Sequence, residues 1–156
     1  MLKECVSFEV AKLLREKGFD WKTEFVWYEH LPSSLDWRNK TNQKAIDYFY
    51  FNETTEHHSY YRNCDKKPSY INGDIYSAPT QQLAMRWLRE VHKIDISVTP
   101  DDGSWWIKIT ELESWSSVFN GKVLNSDDIK FAYQGNISTK EECYEAALWY
   151  VLKNLI

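Results

Sequence analysis

Several groups of residues in this chain carry chemistry by type and spacing. Glu56-His57-His58, with Cys64-Asp65 downstream, offers the donor atoms of a metal site. Neighbouring histidines in an extended chain point to opposite faces, however, and no second ligand pair follows at a zinc spacing. An exposed polar loop accounts for them, and neither a metal nor another cofactor is expected. Cys143 falls in the first turn of a helical segment, where the helix dipole favours a thiolate; packing beneath that turn is the simpler account. His92 offers a base, yet a lone histidine at the end of a helix commonly serves as a C-terminal cap. No G-x-S-x-G elbow occurs, and Gly18, Gly73, Gly103, Gly121 and Gly135 stand singly at turns, so no loop is built to cradle phosphate. No residue is therefore assigned a catalytic role.

Two further groups suit binding. Gln82, Arg86, Arg89 and Lys93 recur at helical spacing and form one basic edge, fit for an acidic partner surface or for phosphates. Glu90 softens that charge, and a solvated helix face is the plain alternative. Trp105-Trp106 lies in an extended segment, so one ring enters the core and the other faces outward. An outward ring beside Trp115 makes an aromatic patch suited to a protein partner or a stacked base. The candidate partner-binding residues are thus Arg86, Arg89, Lys93, Trp105 and Trp115.

The elements that must position these residues alternate in period. Helical spacing runs from Ser7 to Lys17, with Val10, Leu13 and Leu14 on one face and Gly18 to end it. A second helix follows Thr80 as N-cap, with Leu83, Ala84, Trp87, Leu88 and Val91 as its apolar stripe. The third opens on a capping-box pattern at Ser138 and Glu141, repeated by Thr139 and Glu142, and buries Ala147, Leu148, Val151, Leu152 and Leu155. Period-two segments at Glu24–Tyr28, Ala45–Phe51, Ile94–Val98 and Trp105–Ile109 predict strands, the last two joined as a hairpin by Pro100-Asp101-Asp102-Gly103. Weaker strands are expected at Ser116–Phe119 and Ile129–Tyr133. The polar stretches His30–Gln43 and Glu53–Ser69 read as long loops, an excursion spanning about 29–75. The expected fold is α+β: a small antiparallel sheet packed by three helices in a single layer, within one domain over residues 1–156.

The 156 residues suit one core. Eight Trp, ten Tyr and seven Phe give large buried area per residue and equally suit binding surfaces. A net charge of −4 lacks the field that draws proteins to phosphate backbones or anionic membranes, so nucleic acid is the lesser expectation. No stretch approaches the ~18 apolar residues of a membrane span. Three scattered cysteines do not form a disulfide framework, and a cytoplasmic setting is expected.

One resemblance adds to this. Tyr76-Ser77-Ala78-Pro79-Thr80-Gln81-Gln82-Leu83, then Trp87-Leu88-Arg89-Glu90-Val91-His92, resembles a group of small proteins of gut Bacteroidetes and their phages or mobile elements. Ser7 to Phe19 is similar to their first helix, and Tyr144-Glu145-Ala146-Ala147-Leu148 to their last. The resemblance implies a soluble bacterial or phage accessory protein and supplies no activity. The function expected is a noncatalytic binding or accessory protein acting through protein contacts. A nucleic-acid-binding protein using the basic edge is one alternative, and a small hydrolase or transferase another.

Overall fold

The computed structural model describes residues 4–30, 45–50, 61–66, 73–112, 129, 132–133 and 137–156. Helix α1 spans Phe8–Glu16 and begins where the Ser7 hydroxyl accepts the Val10 N–H at 3.3 Å. It ends as the sequence predicts. Gly18 adopts φ +86°, its N–H reaches the Arg15 carbonyl at 3.1 Å, and the Phe19 N–H reaches Leu14 at 2.9 Å. This paired closure satisfies the last carbonyls and folds Phe19 back beside Leu14 in the core.

Strands β1 (Phe25–His30), β2 (Ala45–Tyr50) and β3 (Asp74–Ser77) form an antiparallel sheet in the order β2-β1-β3. Val26 faces Phe49 on one side and Ser77 on the other. Trp27 and Tyr76 share the face turned to α1, where the Phe8 ring meets both edge-on. The opposite face carries Val26 and Ile75, closed over by Tyr61. Gly73 enters this sheet hard against β1: a Cβ there would lie 1.5 Å from the Glu29 carbonyl oxygen, so the pairing admits no side chain.

Helix α2 (Gln81–Trp87) starts at Thr80, whose hydroxyl accepts the Leu83 N–H at 3.2 Å. Leu88–His92 then winds as a π turn, closed by the Lys93 N–H on the Leu88 carbonyl. Strands β4 (Ile94–Asp101) and β5 (Ser104–Glu111) follow as a separate antiparallel hairpin. Asp102 at φ 38° and Gly103 at φ 81° make its two-residue turn. Both positive angles match the right-handed twist of the strands. Helix α3 (Lys140–Asn154) is set by the second of the two overlapping capping boxes, Thr139 with Glu142.

Helix α1 packs on β3 and on α3, and α3 packs on β4 and β5, so helices join the two sheets. One apolar cluster draws on all of them and contains Leu14, Leu88, Ile96, Ile109, Leu148 and Leu152. The α+β class is as the sequence predicts, with two differences. Among the described residues there are two small sheets where one was expected: β3, too short to show a period, fills the second edge of β1, and β4 and β5 pair separately. Ile129, Ala132 and Tyr133 are helical where a strand was expected. The expected strand at Ser116–Phe119 and most of the two long loops lie outside the described residues.

Candidate functional site

Three places bear on function: a cleft at the helix N-termini, the basic edge of α2, and the outer face of the hairpin. The cleft forms because α1, α2 and α3 all begin near one another. The bridge between Cys5 and Thr80 and the Val6 N–H on the Pro79 carbonyl at 3.0 Å bring the first two starts together. Glu145 of α3 ties them to the third. Its Oε1 accepts the Ser7 N–H at 2.9 Å, and its Oε2 accepts from the Gln81 amide at 3.3 Å. Gln81, the first residue of α2, is buried and also donates to the Glu141 carbonyl at 2.9 Å. A cleft of about 370 Å³ opens here, lined by Cys5, Ser7, Trp27, Glu141, Glu142 and Glu145 among others.

Its carboxylates have structural work. Glu142 accepts the Ser138 and Thr139 N–H groups at 2.6 and 2.9 Å and the Ser138 hydroxyl at 2.9 Å. Those hydrogen bonds favour the charged form and hold its carboxyl below the usual range. Acidic residues in the first turns of α3 also complement the helix dipole. A second cleft of about 280 Å³ lies beside it, lined by Thr80, Gln82, Lys140 and Tyr144 among others. Among the described residues, neither cleft is lined by a histidine. Among the described residues, no three His, Cys, Asp or Glu side chains are grouped to hold a metal ion. His57 and His58 lie outside the described residues; Cys64 is exposed and Cys143 fully buried.

The basic edge exists, and its charges are answered within the chain. Arg86 pairs with Glu90 at 2.8 Å and stacks over the Trp21 ring at 5.8 Å. Arg89 reaches across to Asp95 of β4 at 3.2 Å. Lys93 donates to the Glu90 carbonyl at 2.9 Å. Each pair is exposed and worth under about 1 kcal/mol, but together they lower the net field that phosphates would meet.

The π turn changes the α2 stripe. A turn with one extra residue rotates everything after it, so Val91, expected in the core, is 52% exposed. His92 comes round into the place over Trp87, its ring 4.6 Å away and edge-on. The imidazole is not the helix cap that spacing suggests. Its Nε2 is buried and meets no hydrogen-bond partner among the described residues. Burial, then the nearby Lys17 ammonium, pushes its pKa down.

On the hairpin, the alternation expected of Trp105-Trp106 is present, and the register decides which ring is which. Trp105 is half-buried against the core, while Trp106 is 39% exposed. Trp106 shares the outer face with Thr99 and Lys108, both exposed. Trp115 lies outside the described residues. Trp106 is the outward ring because Trp105 is in phase with the buried Ile107 and Ile109.

No family model, curated protein or solved structure matches the chain. What the fold defines is its class, a small α+β protein. No described helix is long and apolar enough to cross a membrane.

Proposed function

We propose that this chain is a noncatalytic accessory protein that binds a protein partner through the outer face of the β4–β5 hairpin. The observation that carries this reading is the exposed Trp106 on strand β5, three residues past the tight Asp102-Gly103 turn. An exposed Trp on a rigid hairpin presents a large amphipathic ring with little ordering cost on association. Asp101 and Asp102 are exposed at the tip beside it, so the fitting partner offers an apolar recess rimmed by cations. A bacterial or phage origin rests on the resemblance of Tyr76 to Thr80 and of α1. A cytoplasmic setting rests on the scattered thiols.

The test is a photoreactive benzoylphenylalanine at position 106, with a second copy of the probe at Glu16 on α1 as control. The expected result is one protein adduct from position 106 alone. Excess wild-type protein competes it away, whereas Trp106→Ala and Asp101→Lys/Asp102→Lys do not. Equal adducts from both positions, or competition by Trp106→Ala, would overturn the assignment. An adduct of twice the chain mass would overturn it too, in favour of self-association. Turnover of any substrate, abolished by one side-chain change outside the core, refutes the noncatalytic reading.

A further inference from the structure

The π turn at Leu88–His92 has a feature the hairpin reading leaves unused. His92 fills the site over Trp87 that an α-helical turn gives to residue 91, and it does so with Nε2 buried and bare. Lys93 N–H reaches the Leu88 carbonyl, and Lys93 itself sits in the left-handed region at φ 58°. A non-glycine residue there costs on the order of 1 kcal/mol, which makes this segment cheap to open.

We propose that His92 makes this turn an acid-sensitive latch, closed when the imidazole is neutral and released when it takes a proton. A neutral imidazole leaves Nε2 as a bare acceptor, which costs less than burying a cation in the same place. A proton on Nε2 needs an acceptor, and among the described residues none bonds it. From the end of α1, Lys17 presents a second cation, itself donating to the Ile156 main-chain oxygen. On the turn itself, the Glu90 carboxylate is taken by Arg86, Arg89 is turned to Asp95, and Lys93 is turned to a carbonyl. From the hairpin, Asp95 is held by Arg89, and Glu111, opposite Ile94, is exposed. The histidinium is therefore both desolvated and repelled.

The direction of the effect follows. The folded-state pKa lies below the ordinary 6.5, so the closed turn binds fewer protons than the open one. Its stability is complete above pH 6.5 and is lost as pH falls through the folded value. Release frees the Arg89–Asp95 tie and the Leu112 N–H on the Lys93 carbonyl, which anchor the base of the hairpin. The latch stands whether or not the hairpin binds a partner.

Hydrogen-exchange protection factors at the Lys93 and Leu112 amides, measured between pH 7.5 and 5, test it. In the wild type they should fall severalfold more than the factor at Ala147 in α3, the direction that a depressed imidazole pKa gives. His92→Phe keeps a ring against Trp87 without a titrating group, and its protection should stay level. An equal fall in His92→Phe would overturn the proposal. So would an NMR titration of the wild-type His92 imidazole at or above 6.5, which needs no variant to fold.

Discussion

Glu145 and Ser7 stand 138 residues apart in sequence, yet the Glu145 carboxylate accepts the Ser7 N–H at 2.9 Å. The same carboxylate accepts from Gln81, so one side chain on α3 receives donors from the starts of both α1 and α2. Its removal leaves an amide side chain buried with one acceptor fewer. Glu145→Ala is expected to lose about 2 kcal/mol in urea unfolding, within the range for hydrogen bonds to a charged group. Glu145→Gln, which keeps an acceptor oxygen, should lose less. Equal losses for the two would show that charge, and not the acceptor, joins the helices.

The α1 terminus and the π turn give opposite predictions for glycine. Gly18 at φ +86° has open space around its missing Cβ, so Gly18→Ala is penalised by backbone conformation alone. A loss of about 1 kcal/mol is expected. Lys93→Gly relieves the same strain at φ 58° and should raise stability by up to about 1 kcal/mol, read as a higher melting temperature.

Acid should act on α3 through Glu142. Its carboxyl is held below the ordinary 4.5 by the backbone and hydroxyl of Ser138 and by Thr139. The folded form therefore binds fewer protons than the unfolded one. The stabilisation is present above 4.5 and disappears as pH falls through the folded value. Glu142→Gln should flatten the stability profile between pH 5 and 3 while leaving that between pH 7 and 6 as it is. A profile unchanged by the substitution would remove Glu142 from the account.

In the core, Leu148 is fully buried between the sheets and helices. Leu148→Ala should cost about 2–5 kcal/mol by denaturant titration, the usual range for such a truncation. Trp106→Ala, by contrast, should leave the denaturation midpoint nearly unchanged, as an exposed ring on a hairpin contributes little to the fold.

Much of this architecture is legible in the residues themselves. Thr80 caps the helix it was expected to cap, and Thr139 takes the second of the two expected capping boxes, because a hydroxyl next to a helical run has a nearby donor to meet. Asp102-Gly103 likewise dictates its turn. What escapes is whatever depends on distant partners. Strand β3 is four residues long and buried at three of them, so it shows no alternation to read. Val91 belongs to the apolar stripe at 3.6 residues per turn and leaves it only because the chain winds a π turn, which no local spacing announces. For the candidate site, the outward ring follows from alternation in principle. Choosing Trp106 over Trp105 rests on the phase of Ile107 and Ile109, which lie in the core with Trp105 packed against it. The role of Glu145 is invisible in sequence, since nothing near it hints at Ser7.

The missing side chain at Gly73 has a consequence for how this protein can vary. Position 73 is where the chain rejoins β1, and the Glu29 carbonyl leaves no room for even a methyl group. Length changes upstream are tolerable only when they bring a glycine back to this spot. A peptide or tag grafted ahead of it should therefore be inserted as a whole block, leaving Gly73-Asp74-Ile75 untouched, or β3 will dock out of step and turn Tyr76 away from Phe8.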